Sequence, residues 1–281
     1  TLSDTYNTLV PQHDLCVCDF NGNGKNDVVT TKIDTGPNDI TVYQNQSTGV
    51  GSISFSALDK DDMASLNIGE PTRNIICGDV NNDGLPDGNR NKIHVLINNS
   101  TGGNISFQSK ITLFIPGGST AIRLALRDLN GDGKSDITVV DRENNKVFIF
   151  ENTNTGSLAF KAPIEVVVSG AIKFWGLEVQ DLDGDAKADL VINQFQDNNV
   201  FIVRNTSSGS TISFNEITTI DLPISIRNLK TGYLDEDDKL DIIAAHESSD
   251  EISIIQNNST PGNISFNTIG QFDTSSGSAP W

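Results

Sequence analysis

Five acidic loops hold the residues of this chain with the clearest chemistry. Each spans nine residues and offers Asp or Asn oxygens at most of its first, third, fifth and ninth positions, with mostly small or flexible residues between. The third loop reads Asp128-Leu-Asn130-Gly-Asp132-Gly-Lys-Ser-Asp136. Together with a backbone carbonyl near the seventh position, such oxygens can surround one hard cation. Ca²⁺ accepts roughly six to eight oxygens in irregular geometry, so it suits the loops better than Mg²⁺ does, and soft metals lack His or Cys ligands.

Each loop therefore predicts one calcium site, with up to five ions in all. The fifth loop has Tyr233 in place of the first ligand. The predicted ligands are Asp19, Asn21, Asn23, Lys25 and Asp27 in the first loop; Asp79, Asn81, Asp83, Leu85 and Asp87 in the second; Asp128, Asn130, Asp132, Lys134 and Asp136 in the third; Asp181, Asp183, Asp185, Lys187 and Asp189 in the fourth; and Asp235, Asp237, Lys239 and Asp241 in the fifth.

Two alternatives compete with this interpretation. The EF-hand requires a bidentate Glu at its twelfth position and flanking helices. The flanks here have strand patterns, and the twelfth residues are Thr30, Arg90, Val139, Ile192 and Ala244. The other alternative is a set of Asx-type turns without metal. Five loops in phase favour calcium.

The loops belong to an internal repeat. A short string ending in Phe recurs, with its phenylalanines 52, 53, 54 and 52 residues apart, at Phe55, Phe107, Phe160, Phe214 and Phe266. An alternating apolar run and an Asn/Ser/Thr/Gly turn precede each string, which indicates strand, turn and strand. With two further strands around the acidic loop, one unit is a four-stranded antiparallel meander of about 50 residues, the unit of a propeller blade.

The predicted fold is therefore all-β, a β-propeller of about five four-stranded antiparallel blades, with an open segment of a longer array as the alternative. A β-sandwich does not require this fixed period. The second blade is expected to have a shortened or missing second strand, because residues 88–91 are polar. Residues 1–9 are expected to form a strand of a preceding or neighbouring blade. Within one repeat domain, 1–281, the blades are predicted at approximately 10–60, 72–115, 121–169, 172–222 and 224–273.

The charge balance agrees with calcium. The chain has 37 Asp and Glu against 19 Lys and Arg, a formal net charge of −18, which disfavours nucleic acid or an anionic membrane surface as the main partner. Fifteen of the 37 acids stand at predicted ligand positions, so five Ca²⁺ ions, carrying ten charges, would bring the formal charge to −8. No apolar run approaches the roughly 20 residues that span a bilayer. The N-terminus lacks a signal-peptide pattern, so we expect a mature product or an excised piece.

The loop pattern Asp-x-Asp/Asn-x-Asp/Asn-Gly-x-x-Asp, followed by an apolar strand, resembles the FG-GAP/VCBS repeat. This is the calcium-loop blade of integrin α-subunit propellers and of many bacterial surface proteins, and the resemblance covers nearly the whole chain. It implies a calcium-bound β-propeller, secreted or displayed on a surface, that serves adhesion or assembly. The chain departs from the family in blade count, since such propellers usually have about seven blades and this sequence holds five.

The predicted function is accordingly a non-enzymatic calcium-binding module for extracellular adhesion or for surface or filament assembly. Its partners would be a cell-surface protein or glycan, or like subunits in an array or filament, without nucleic acid and without membrane insertion. The alternatives are a lectin with glycan pockets between blades and a propeller-type polysaccharide-active enzyme. A catalytic constellation would have to be non-repeating, and none is evident.

The loops are expected to differ in affinity. The second and third have three carboxylates and a Gly at the sixth position, where a compact loop needs a sharp turn that can have positive φ. The fourth has four carboxylates and Ala186 at that position, and it is still expected to bind. The first has two carboxylates and is expected to bind more weakly. The fifth, with Asp238 at its sixth position, is expected to be the weakest or empty, with Lys239 partly balancing its charge.

Other residues give weaker signals. Cys16 and Cys18 point to one face of a predicted strand and cannot easily bridge each other; buried thiols are favoured, and a bridge from Cys77 to one of the pair stays open. Trp175 and Trp281 could stack on sugars, although half-buried packing is favoured. The histidines, His13, His94 and His246, lie at unrelated phases of the repeat. The turns carry glycosylation sequons at Asn45, Asn98, Asn99, Asn104, Asn205, Asn257, Asn258 and Asn263.

Overall fold

The computed structural model describes residues 12–32, 40–50, 52–58, 74–79, 92–108, 110–117, 121–142, 144–170, 173–194, 197–246 and 249–274. These residues form strands, turns and bends, and none of them forms a helix long and apolar enough to cross a bilayer. The strands are β1 (Gln12–Cys18), β2 (Asp27–Lys32), β3 (Ile40–Asn45), β4 (Phe55–Leu58), β5 (Lys92–Val95), β6 (Ile111–Phe114), β7 (Ala121–Arg127), β8 (Asp136–Asp141), β9 (Lys146–Phe150), β10 (Ile164–Val166), β11 (Phe174–Gln180), β12 (Asp189–Gln194), β13 (Asn199–Asn205), β14 (Phe214–Asp221), β15 (Ile226–Gly232), β16 (Asp241–His246), β17 (Glu251–Asn257) and β18 (Phe266–Asp273).

The strands pair in chain order, each antiparallel to the next. Four sheets have four strands each, β1–β4, β7–β10, β11–β14 and β15–β18, and β5 pairs with β6. Every acidic loop that the structure describes in full lies between the first and second strands of a four-stranded sheet. The all-β fold of four-stranded antiparallel sheets, as expected of propeller blades, is thus confirmed.

The chain divides into two compact units, Thr1–Gly118 and Ser119–Trp281. In the first unit, the sheet β1–β4 shares an apolar cluster with the segment around β5, in which Phe20, Val42, Leu96 and Phe107 are buried. Residues 74–78, which precede the second acidic loop, and Asp79, which begins it, form no strand. The expected changes within residues 88–91 and the expected strand at 1–9 lie outside the described residues.

A disulfide joins Cys16 on β1 to Cys77, with the Cα atoms 5.9 Å apart. The favoured expectation of buried thiols was therefore wrong for these two cysteines, and the bridge that the sequence left open is the one present. Cys18 is a free thiol and is partly buried. Alternation along β1 places Cys16 and Cys18 on one face, and both contact the apolar cluster of the first unit.

In the second unit, the first strands of three successive sheets lie side by side, since β11 contacts both β7 and β15. One apolar cluster lies between the sheets β7–β10 and β11–β14, and a second lies between the sheets β11–β14 and β15–β18. The middle strands are therefore covered on both faces. All six residues of β8 and all six of β12 are buried, which agrees with the apolar residues at the centre of each strand, Ile137, Val139 and Val140 in β8 and Leu190, Val191 and Ile192 in β12.

Candidate metal loops

The four loops that are described in full share one backbone framework. In the first, third and fourth loops, the first-position Asp accepts the N–H of the sixth residue at 2.7, 2.7 and 2.9 Å. In all four, the third residue accepts the N–H of the fifth at 3.0 to 3.2 Å through Oδ1. The fifth residue likewise accepts the N–H of the seventh at 2.9 to 3.0 Å. These bonds fold each loop tightly around the side chains predicted as ligands.

The sixth residue of every described loop is left-handed, as the sequence suggested. Its φ is +80° at Gly24, +81° at Gly133, +68° at Ala186 and +59° at Asp238. Only glycine adopts this region without steric cost. Ala186 and Asp238 therefore carry backbone strain that the first and third loops avoid.

The ninth residue has a second role that the sequence did not reveal. The four aspartates at this position, Asp27, Asp136, Asp189 and Asp241, are at most 1% exposed. Through Oδ2 each accepts the N–H of the second loop residue at 2.9 to 3.2 Å. Through Oδ1 each accepts an N–H from the end of the third strand at 2.7 to 2.8 Å. Each of these carboxylates therefore fastens the loop to its own sheet and keeps lone pairs for a cation.

Burial also raises the pKa of three of these carboxyls. It raises the pKa of Asp136 to about 6 and that of Asp189 to about 7, against the opposing effect of the two backbone N–H donors. It raises the pKa of Asp27 as well. A nearby divalent cation would favour the ionised form and offset this desolvation.

An asparagine at the end of the third strand joins neighbouring sheets. In the second unit, Asn205 Nδ2 donates to Leu129 O of the preceding sheet at 2.9 Å, and Asn257 Nδ2 donates to Leu182 O at 2.8 Å. In the first unit, Asn98 Nδ2 donates to Phe20 O at 2.8 Å. The acceptors are the second residues of the first, third and fourth acidic loops, so these three loops are tied to the repeat that follows. In the sequence, the recurrence of Asn at the same position of each repeat was the signal that could have predicted these contacts.

The fourth loop brings three carboxylates together. Asp181, Asp183 and Asp189 each place an oxygen within 4.8 Å of the other two, and the described part of the chain holds no other such group of three His, Cys, Asp or Glu side chains. The first and third loops have Asn at the third position, and the fifth has Tyr at the first, so none of them can offer this trio. A donor set made of oxygens suits a hard cation such as Ca²⁺.

In the third, fourth and fifth loops the seventh-position lysine lies near the fifth-position carboxylate, and in the fourth Lys187 Nζ is 3.6 Å from Asp185 Oδ2. In the third loop, Lys134 Nζ lies 2.8 Å from Asp132 Oδ2. In the fifth, Lys239 Nζ lies 3.9 Å from Asp237 Oδ2, which agrees with the expected partial balance of charge. Gln256 donates to Asp235 Oδ2 at 2.9 Å. Of the second loop only Asp79 is described, so Asn81, Asp83, Leu85 and Asp87 lie outside the described residues.

The remaining candidates have structural surroundings. His246 is fully buried, and its Nε2 lies 2.8 Å from Ser253 Oγ. His94 is buried with Nδ1 3.0 Å from Thr112 Oγ1. Trp175 is half-buried, and the guanidinium carbons of Arg142 and Arg227 lie 4.8 and 4.9 Å from the ring centroid. Arginines thus occupy the neighbourhood in which a sugar would stack on this ring. Trp281 lies outside the described residues.

The sequons fall into two classes. Asn98, Asn205 and Asn257 are buried and use Nδ2 in the hydrogen bonds between sheets, so the folded chain does not present them for modification. Asn45 is partly buried and donates through Nδ2 to Asn26 O at 2.9 Å. The exposed sequons are Asn99, Asn104, Asn258 and Asn263.

Part of the chain is similar to a known repeat family, and its fold is similar to that of a solved structure. The model of the FG-GAP-like repeat matches residues 19–87 and 128–192. No curated protein matches the sequence significantly. Among solved structures, a crystal structure of a protein from Lactobacillus plantarum is similar, with 12% identity, a TM-score of 0.51, and coverage of 88% of this chain and 67% of that one. The BBS1N chain in a complex with ARL6DN has 10% identity and a TM-score of 0.45, covering 91% of this chain and 75% of that one. Residues 19–87 and 128–192 are therefore similar to FG-GAP-like repeats, and the described strands form four-stranded antiparallel sheets of the kind that build β-propeller blades.

Proposed function

We propose that this chain is a non-enzymatic, calcium-binding propeller module that acts in extracellular adhesion or in surface or filament assembly. The observation that carries the proposal is the fourth loop, where three carboxylate oxygens lie within 4.8 Å of one another. The same backbone framework recurs in three other loops. Isolated from a cation, such carboxylates repel one another at short range.

Two further observations support an extracellular setting. Disulfides persist mainly in oxidising compartments, and Cys16 is bridged to Cys77. Calcium at millimolar extracellular concentration, once bound in the loops, would offset part of the formal net charge of −18. The partners we propose are a cell-surface protein or glycan, or like subunits in an array or filament. The buried, hydrogen-bonded states of His94 and His246 favour a binding role over catalysis.

Calcium binding is tested by isothermal titration of the chelator-treated chain. We expect several bound ions per chain, and we expect the double variant Asp181→Asn/Asp189→Asn to lose one of them. The variant Asp221→Asn is the control, because Asp221 is an exposed acid outside the loops. No heat of binding in the wild-type chain at millimolar Ca²⁺ would overturn the proposal.

Adhesion is a separate test. Beads coated with the chain should bind cells or one another in calcium and release them in EDTA, while beads coated with the loop variant bind less. Binding that is equal with and without calcium would contradict a calcium-dependent module.

Glycan binding is the second candidate, because a cleft of about 480 Å³ lies between the fourth and fifth loops. Its lining includes Asp183, Lys239, Thr260 and Pro261 together with Tyr233, whose side chain is exposed. An aromatic ring beside hydroxyl and carboxylate groups suits a sugar. A glycan array should then give hits that Tyr233→Ala removes. An array without hits would leave a protein partner or self-assembly as the function.

A further inference from the structure

We propose that Arg204 is a built-in counter-ion of the fourth loop, which holds the loop in shape without metal and lowers its affinity for calcium. The effect on calcium affinity rests on the calcium binding proposed above, whereas the stabilisation of the metal-free loop does not. Arg204 lies on β13, one residue before the asparagine that joins neighbouring sheets.

The contacts of Arg204 are with loop carboxylates. Its Nε donates to Asp183 Oδ2 at 2.8 Å, and its Nη2 donates to Asp185 Oδ2 at 2.9 Å. The guanidinium fork therefore spans the third and fifth ligand positions at once. The side chains are 13% exposed for Arg204, 0% for Asp183 and 13% for Asp185, so solvent screens these ion pairs little.

Asp183 also belongs to the three-carboxylate group, so the guanidinium contacts the predicted metal site directly. Its Oδ2 accepts the N–H of Gly262 at 3.0 Å in addition to Arg204, and its Oδ1 accepts the N–H of Asp185 at 3.0 Å. A carboxylate offers about four acceptor positions, and three are thus in use. An ion bound here must share Asp183 with a fixed positive charge, which opposes its binding.

The repeat supplies an internal comparison. The residues at the register of Arg204 in the other repeats are Gln44, Ile97, Glu151 and Gln256, none of which is a cation. Gln256 donates to a carboxylate of the fifth loop, and Gln44 donates to Gly103 O. The only arginine in this register thus accompanies the only loop with carboxylates at all four of the first, third, fifth and ninth positions. We infer that the guanidinium compensates the additional negative charge.

The test is Arg204→Gln, which installs the residue that two other sheets carry. In excess EDTA, we expect this variant to melt below the wild type, because Asp183 is left buried without its counter-ion. In a calcium titration, we expect the affinity of one site to rise by about tenfold or more, because the repulsion between cation and guanidinium is gone. Adding Asp181→Asn to Arg204→Gln should remove this gain, which assigns it to the fourth loop.

Arg123→Gln is the matched control. It removes the same positive charge from the same unit. The guanidinium carbon of Arg123 lies 5.6 Å from the ring centroid of Trp175. We expect it to leave calcium affinity unchanged. Should Arg204→Gln fail to fold, Arg204→Lys keeps the charge but loses the fork, and is expected to melt below the wild type in EDTA.

The outcomes separate the two proposals. Equal melting temperatures of the wild type and Arg204→Gln in EDTA overturn the proposal that Arg204 stabilises the metal-free loop, whatever the calcium titration gives. A calcium affinity in Arg204→Gln no higher than in the wild type overturns the antagonism. If neither the wild type nor Arg204→Gln binds calcium, the proposed function and the antagonism both fail, and the EDTA measurement still decides whether Arg204 stabilises the loop.

Discussion

Ala186 has a backbone conformation that two other loops give to glycine. Its φ is +68°, against +80° at Gly24 and +81° at Gly133. An L-residue with a Cβ costs about 1–2 kcal/mol in this region, so replacing Ala with Gly relieves that strain. The greater conformational entropy of Gly in the unfolded chain cancels roughly half of the resulting stabilisation. We therefore predict that Ala186→Gly raises the free energy of unfolding by about 0.5 kcal/mol in EDTA, as measured by urea denaturation.

The reverse substitution in the third loop is the matched control. A Cβ at Gly133 would meet no atom within 4 Å, so only backbone strain opposes Gly133→Ala. We expect that variant to lose about 0.5 kcal/mol under the same conditions. If both substitutions change stability in the same direction, φ is not the cause.

At the level of sheets, the asparagines after the third strand hold neighbouring repeats together. Asn257 is fully buried, and its Nδ2 donates both to Leu182 O and to Leu240 O, at 2.8 and 3.0 Å. Replacing it with Ala leaves the buried carbonyl of Leu182 and the partly buried carbonyl of Leu240 without this donor. We predict that Asn257→Ala lowers the free energy of unfolding by about 2–4 kcal/mol, since a buried group that loses its partner costs about 1–3 kcal/mol and a partly buried one costs less.

The neighbouring residue is the control for this prediction. Asn258 is exposed, and its Nδ2 makes only a long contact of 3.4 Å with Gln256 O. Asn258→Ala should change stability by no more than about 0.5 kcal/mol. Comparable losses for the two variants would mean that the turn, and not the bond between sheets, is being disturbed.

The disulfide of the first unit supports a second prediction at this scale. It joins residues 61 positions apart, and closing a loop of that length stabilises a fold by about 4 kcal/mol in the chain-entropy model. We predict that Cys16→Ala lowers the melting temperature of the first unit and leaves that of the second unit unchanged. Cys18→Ala, which removes a free thiol from the same strand, should have a much smaller effect.

The strands were largely predictable from sequence because the same pattern recurs in every repeat. Alternating apolar runs predicted the positions of the strands, and the acidic loops predicted where the first strand of each repeat ends. The disulfide was not settled, because pairing depends on where residue 77 lies in space. Arg204 was missed because a single cation on a strand has no spacing signal. The second role of the ninth-position aspartates was missed because the N–H donors to their Oδ1 atoms, such as Asn205, are sixteen to eighteen residues away.

At the scale of the whole molecule, the excess of acid is the property that calcium should control. The formal charge is −18, and the second unit contains three of the four fully described loops. An ion that binds only the folded state adds about 2.7 kcal/mol per site at a hundredfold excess over its Kd. Several sites together would rival the roughly 5–15 kcal/mol of an ordinary domain.

We therefore predict that EDTA lowers the melting temperature of the chain markedly and that millimolar CaCl₂ restores it. The larger shift should belong to the transition that reduction of the disulfide leaves unchanged, because that transition reports the second unit. NaCl at the same ionic strength is the control. It screens the acidic surface but supplies no divalent cation for the loops, so it should restore little of the lost melting temperature. MgCl₂ should also restore less, because Mg²⁺ demands a more regular octahedral shell. If NaCl restores as much stability as CaCl₂, screening rather than bound calcium explains the effect.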